Sequence, residues 1–318
     1  MATQSKLKIL AVVGPTASGK SALALALTER LGGEIISCDS MQIYRRMDIG
    51  TAKPTCEEMA RVKHHLVDCV EPDRAYSCAE YVEDAKAAVE EIASRGKLPI
   101  FCGGTGLYLD CFLRGGNFEE TESDPTLRES LFAYAKEHGN AALHARLMAV
   151  DPESAAAIHE NNVKRVVRAL EIFESTGMTK SEADRRSRQV ESPYDATVIG
   201  LRYETRELLY ERIDRRVDQM LEEGLLEETR RLLDEGVFET NSTAAQAIGY
   251  KELLGYLSGE KSLDEATEDL KRATRRYAKR QITWFGAKDY VKWVDATENG
   301  LMRGFDGILQ EALKQAVL

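Results

Sequence analysis

The segment Gly14-Pro15-Thr16-Ala17-Ser18-Gly19-Lys20-Ser21 constrains this chain more than any other. It matches G-x-x-x-x-G-K-[ST] in full. It also lies between a short apolar run, Lys8–Val13, and an Ala/Leu-rich stretch, Ser21–Leu31. Strand, glycine loop and helix in that order open a parallel α/β sheet. The glycines let backbone N–H groups approach phosphate oxygens, and the helix N-terminus adds partial positive charge. Lys20 supplies a full charge, and the Ser21 hydroxyl is placed to hold Mg²⁺. The motif points to a polyphosphate. It does not say whose, or whether a bond to phosphorus breaks.

Further strand-like runs alternate with helical ones. Glu34–Ser37, His65–Val70, Leu98–Cys102 and Thr197–Arg202 read as strands, and Tyr290–Val294 as the last strand of the sheet. Tyr81–Arg95, Glu204–Glu223, Asp264–Phe285 and Gly307–Val317 read as helices. Such alternation implies parallel pairing with both faces covered. Between Asp124 and Arg188 no strand pattern is visible, and Asp124-Pro125 and Asp151-Pro152 each start a helix. The expected layout is a P-loop-type α/β core over 1–118 and 194–318, interrupted by an all-helical module at 119–193.

A P-loop ATPase has an acidic residue at the end of a second buried strand. Leu98–Cys102 ends instead in Gly103-Gly104-Thr105. An acid stands elsewhere, at Asp39, directly after Glu34–Cys38. If the strands are parallel, Asp39 and Thr105 share one sheet edge with the glycine loop, where open α/β sheets bind ligands. A carboxylate beside a phosphate cradle suits a general base. It equally suits a cap on the next turn.

Around these residues stand Asp39-Ser40-Met41-Gln42-Ile43-Tyr44, Met47-Asp48-Ile49-Gly50-Thr51-Ala52-Lys53-Pro54 and Gly103-Gly104-Thr105-Gly106-Leu107-Tyr108. Lys164 to Glu171, Gln246-Ala247-Ile248-Gly249-Tyr250-Lys251 and Lys279-Arg280-Gln281-Ile282-Thr283-Trp284-Phe285 follow. Taken together, the chain resembles the tRNA dimethylallyltransferases, or tRNA isopentenyltransferases, over about residues 8 to 294. The resemblance implies transfer of a dimethylallyl group from dimethylallyl diphosphate to N6 of adenosine 37 in the anticodon loop. Gly14 to Ser21 and Arg216 then grip the donor diphosphate with Mg²⁺, rather than ATP. Asp39 and Thr105 are the catalytic pair. Asp39, Ser40, Met41, Gln42 and Thr105 surround the target base, which must be flipped out of its stack. Arg128, Lys164, Arg165, Arg168, Gln246, Gly249, Tyr250, Lys251, Lys279, Arg280 and Gln281 are implied tRNA contacts. For Tyr250, a place in the core is the competing reading.

The net charge of −10 excludes a bulk polycation, so tRNA must be held by local patches. Lys271, Arg272, Arg275, Arg276, Lys279 and Arg280 form a stripe at helical spacing. Lys164, Arg165 and Arg168 form a second patch, and Arg185, Arg186 and Arg188 a third. The six cysteines show no C-x-x-C pair and read as reduced thiols in a cytoplasmic monomer without a membrane span. His64, His65 and His159 read as structural. No Cys or His follows His159, so the short bacterial-type form is expected, without a zinc finger. Three alternatives stay open: prenylation of free AMP, ADP or ATP, a small-molecule kinase, and a non-catalytic RNA-binding protein.

Overall fold

The structure, a computed structural model, describes residues 6–115, 124–189, 191–241 and 243–316. It forms two compact units, Met1–Leu113 with Pro193–Leu318, and Arg114–Ser192.

The first unit opens with β1 (Leu7–Val13), the glycine loop and α1 (Lys20–Leu31), then β2 (Gly33–Cys38). A long loop carries a one-and-a-half-turn helix, α2 (Cys56–Arg61), to β3 (His64–His65). α3 (Cys78–Ser94), β4 (Leu98–Gly103) and α4 (Gly106–Leu113) complete the first pass. All paired strands of the main sheet are parallel, in the order β3-β2-β4-β1-β5-β6. Side chains of β1 alternate between two cores. Ile9, Ala11 and Val13 face one, and Leu10 and Val12 the other. A strand buried on both faces must read as an unbroken apolar run, as this one does. Val13 of β1 and Cys38 of β2 are both in register with Gly103 of β4. Three strands therefore end together, and their following residues share one edge.

The strand expected over His65–Val70 is shorter. Leu66 and Asp68 adopt left-handed backbone (φ 58° and 57°), which a strand cannot continue through. Val70 survives only as a lone bridge to Tyr44.

The second unit holds α5 (Pro125–His138), α6 (Asn140–Val150), α7 (Pro152–Ala157), α8 (Val163–Thr176) and α9 (Lys180–Gln189). Asp124 and Asp151 each precede a proline and accept the N–H three residues on, Leu127 and Ser154. The core is its own, built on Leu131, Leu143, Leu147, Val166 and Leu170. The expected boundary at 119 lies outside the described residues; the unit begins at Arg114.

The chain returns to the first unit through β5 (Tyr194–Arg202), α10 (Arg206–Glu222), α11 (Leu225–Asp234), α12 (Val237–Thr240) and α13 (Lys251–Leu257). α14 (Leu263–Gly286), β6 (Val291–Asp295), a hairpin of β7 (Thr297–Glu298) and β8 (Leu301–Met302), and α15 (Phe305–Gln315) follow. Ser262 and Glu265 form a capping box that fixes the start of α14. Among the described residues no helix is long and apolar enough to cross a membrane.

Candidate active site

The loop after β1 is held from two sides. On one, Arg212 Nε of α10 donates to the Ala17 carbonyl (2.9 Å) and Tyr203 donates its hydroxyl to the Ser18 carbonyl (3.0 Å). On the other, Gln281 Oε1 of α14 accepts the Thr16 N–H (2.8 Å). Within it, Ala17 is left-handed at φ 62°, an unusual conformation for a residue with a Cβ. Whereas α2, α3 and α14 start with capping boxes, α1 has no side-chain cap at Gly19. The first N–H groups of a helix have no carbonyl four residues back. Those of α1 therefore open toward a cleft of about 830 Å³ lined by Ala17, Gly19, Lys20, Ser21, Arg212 and Arg216 among others. Not every group in the motif is available there. The Thr16 N–H is taken by Gln281, the Ser18 N–H by Pro15, and the Ser18 hydroxyl is buried without a partner.

Lys20 and Arg216 are both half-buried at this cleft. Burial pulls down the pKa of Lys20, and Arg216 adds to the effect; Cys102 and Asp39 oppose it. Burial also lowers the pKa of Arg216, again opposed by the charge of Asp39. The two cations and Asp39 thus form one electrostatic cluster. The Lys20 ammonium reaches only the Pro15 carbonyl (3.3 Å), and Arg216 has no hydrogen-bond partner among the described residues. Two cations withdrawn from water share the charge of Asp39, while Glu223 and Arg212 act on Arg216 in opposite directions, and an anion in the cleft would neutralise them further.

Asp39 follows β2 directly. Its Oδ1 accepts the Met41 N–H (2.9 Å), so it does shape the turn. Its Oδ2 has no hydrogen-bond partner among the described residues, so the turn role occupies one oxygen and leaves the other open. Thr105 follows β4. Its N–H donates to Cys38 (3.1 Å), and its hydroxyl oxygen accepts the Ser40 N–H (3.0 Å). Ser40 and Met41 are half-buried beside this pair.

Several expected contacts take other roles. Gln42 has no free amide: Oε1 accepts from Ser37 (3.0 Å), and Nε2 donates to the carbonyls of Thr51 and Ala52. It pins the loop after β2 and cannot read an adenine edge without releasing it. Gln281 is 5% exposed and has both polar atoms engaged, so it belongs to the protein interior. Tyr250 is fully buried. Its hydroxyl donates to Glu228 (2.7 Å), whose carboxylate also accepts the N–H groups of Asp48, Ile49 and Gly50. No base can stack on it. Gly249 does permit a close approach, at φ +110°, but the backbone beside it is that of Gly50. Gln246 and Lys251 remain exposed.

The basic patches are partly neutralised. Arg128 and Arg168 both bind the fully buried Glu171. In the α14 stripe, Lys271 and Arg275 pair with Asp218 and Asp214 of α10, and Arg272 with Asp269. Arg276, Lys279 and Arg280 remain exposed, as do Lys164 and Arg165. Arg185 and Arg186 pair with Glu153 and Glu182, and the Arg188 side chain lies outside the described residues. One site residue carries no sequence signal beyond its place among these cations. Tyr277, on α14, stands near Thr105 and Asp39, and burial and the charge of Asp39 push its pKa up. Its spacing of four from Gln281 puts both on one helix face.

Among the described residues no three His, Cys, Asp or Glu side chains form a metal cage. The donor set fits Mg²⁺ nonetheless, because that ion is commonly held by one or two protein oxygens plus substrate phosphates. Ser21, exposed at the start of α1 and lining the cleft, offers such an oxygen.

Comparison with known proteins agrees with this geometry. The family model described as IPP transferase matches residues 42–288. The tRNA dimethylallyltransferase of Caldanaerobacter subterraneus subsp. tengcongensis is 49% identical over 288 residues, covering 90% of this chain and 91% of its own. That of Geobacillus thermodenitrificans is 51% identical over 291 residues, covering 92% and 91%. Among solved structures, the tRNA isopentenylpyrophosphate transferase of Bacillus halodurans superposes with a TM-score of 0.72 at 45% identity, covering 98% of this chain and 97% of that one. A eukaryotic dimethylallyltransferase acting on tRNA gives 0.78 at 31% identity, covering 92% and 74%. With a parallel sheet, a glycine loop, and an acid and a hydroxyl at the ends of neighbouring strands, the chain belongs to the tRNA dimethylallyltransferase family.

Proposed function

We propose that this protein transfers the dimethylallyl group of dimethylallyl diphosphate to N6 of adenosine 37 in tRNA, releasing diphosphate. The observation that carries this reading is the cluster of Lys20, Arg216 and Asp39, in which two under-compensated cations stand beside a carboxylate with one open oxygen.

The N6 lone pair is delocalised into the adenine ring, so the amine is a poor nucleophile. It attacks C1 of the donor as the C1–O bond breaks and the bonding pair leaves on diphosphate. Asp39 Oδ2 takes the proton that N6 sheds. The Thr105 hydroxyl oxygen, already oriented by the Ser40 N–H, accepts a hydrogen bond from the N6–H that is retained and holds the amine in line. Lys20, Arg216 and the amides opening α1 stabilise the charge growing on the leaving group. Bound Mg²⁺, held by Ser21 and diphosphate oxygens, would supply further charge neutralisation. Exposed cations, Arg276, Lys279 and Arg280 on α14 and Lys164 and Arg165 on α8, position tRNA phosphates without reading sequence. Ser40 and Met41 border the flipped base.

The assay is purified protein with labelled dimethylallyl diphosphate, Mg²⁺, and tRNA or AMP as acceptor. Label in tRNA at adenosine 37 is expected. Label only in AMP, or none in either, overturns the reading. Thermal shift with Mg²⁺ supplies a second check, with larger stabilisation by the prenyl donor than by ATP expected.

A further inference from the structure

We propose that Gln281 is a positioning residue that couples the leaving-group loop to the turn bearing Thr105, and so sets the distance between donor and acceptor. The inference rests on the proposed function above.

In that reaction the diphosphate sits on the loop after β1, while N6 is held by residues after β2 and β4. The two must be spaced to near-attack distance, and a 1 Å error costs on the order of 10²-fold in rate. β1 and β4 are hydrogen-bonded as far as Val13 and Gly103. Beyond that point the strand ladder ends. Gln281 bridges the two loops where the ladder stops. Oε1 accepts the Thr16 N–H (2.8 Å), and Nε2 donates to the Gly104 carbonyl (3.0 Å). One planar amide thus continues the strand pairing by one step, across 265 residues of sequence on one side and 177 on the other. Neither partner can swing away without leaving a buried polar atom unpaired.

The fit on the Thr105 side is close. A Cβ on Gly104 would collide with Gln281 Nε2, and one on Gly106 with the Trp284 ring. Tyr277 stands near Thr105 between them. Residues 277, 281 and 284 lie on one face of α14, so the helix acts as a template for the turn Gly104-Thr105-Gly106. Of these three, Gln281 is the one bonded to the donor loop, through the Thr16 N–H.

The test uses Gln281→Met, which keeps volume and removes both hydrogen bonds, and Gln281→Asn, which keeps a buried amide but is one methylene too short to span both partners. Each is measured with labelled dimethylallyl diphosphate and tRNA in single turnover. The products counted are prenylated tRNA and dimethylallyl alcohol. The alcohol forms when water attacks C1, diphosphate leaves with the bonding pair, and a proton goes to solvent. Gln281→Met is expected to slow transfer by about 10²-fold and to raise the share of alcohol, with tRNA affinity within about twofold of wild type. Gln281→Asn should shift both in the same direction by a smaller factor. Unchanged rate and product ratio in both variants overturn the proposal. A loss of tRNA affinity matching the loss of rate, with the product ratio unchanged, overturns it too and makes Gln281 a tRNA-binding residue. Absence of tRNA transfer by the wild-type protein would instead overturn the proposed function, and this inference with it.

Discussion

Two clusters of buried charge, one in each unit of this protein, are handled in opposite ways. In the helical unit, Glu171 is completely buried and accepts from two arginines, Arg128 and Arg168. Asp151 is buried too, and its two oxygens take the N–H groups of Ser154 and Ser181. In the α/β unit, among the described residues, Lys20 finds one carbonyl, Arg216 no hydrogen bond, and the Ser18 hydroxyl no partner. Burying a polar group without a partner costs stability, so proteins avoid it except where a ligand completes the set. The satisfied cluster is architecture. The unsatisfied one is where the proposed diphosphate would complete the set, and the contrast separates the two more cleanly than residue type does, since arginine serves in both.

The sharpest way to break this contrast is at Asp39. Asp39→Asn keeps the acceptor for the Met41 N–H but leaves no base. The single-turnover rate should fall by about 10²–10⁴-fold, with tRNA and donor affinities near normal. A loss under tenfold would reduce Asp39 to a turn residue. Next comes a pair of arginines with effects of opposite sign. Arg128→Ala leaves Glu171 with one partner and should destabilise the fold by about 1–3 kcal/mol in urea titrations. Arg216→Ala removes an uncompensated cation, so the melting temperature should hold or rise while donor affinity drops at least about tenfold, the scale of one lost charge-assisted hydrogen bond. Equal destabilisation by both would erase the distinction.

Another compensated carboxylate lies at the far end of β2. Burial alone would raise the pKa of Glu34, but hydrogen bonds from His65 and Lys97 and the charge of Arg95 hold it at about 2. A carboxyl depressed from 4.5 in the unfolded chain stabilises the fold fully above pH 4.5, and loses that contribution as pH falls toward 2. Glu34→Gln should flatten the acid limb of a stability profile between those values. The smallest expected effect is at the exposed cations. Lys164→Ala with Arg165→Ala should weaken tRNA binding and lower its salt slope by about 1–2, with no change in melting temperature. A wild-type slope would remove α8 from the binding surface.

What could be read from sequence alone follows from the spacing of partners along the chain. The glycine loop, Asp39 and Thr105 each end a strand, and strand ends in a parallel sheet converge by topology, so local pattern sufficed. The roles of Gln42, Tyr250 and Gln281 did not follow, because each depends on distant backbone. Gln281 looks like one more polar residue in a basic helix until Thr16 and Gly104 are placed beside it. Tyr250 looks like a stacking platform until Glu228 claims its hydroxyl. The α14 stripe looked uniformly cationic because the carboxylates facing Lys271 and Arg275 belong to another helix. The resemblance to a family identified the chemistry without distinguishing residues that touch substrate from those that hold the scaffold.

The position of β1 has a consequence for biosynthesis. It lies between β4 and β5, and β5 begins only at Tyr194, after the whole helical unit. At a translation rate of roughly 5–20 residues per second, an emerging chain carries β1 with one edge bare for about 10–40 seconds. Throughout that interval the strand is an apolar ribbon with a row of open amides, the kind of edge on which neighbouring chains aggregate. The independent core of the helical unit lets those intervening residues fold meanwhile. Ribosome-arrested chains in which Ser192 has left the exit tunnel but β5 has not should therefore protect the helical unit from protease while leaving β1 open to cleavage. For this enzyme the hazardous moment is the wait for a strand that has not yet been made.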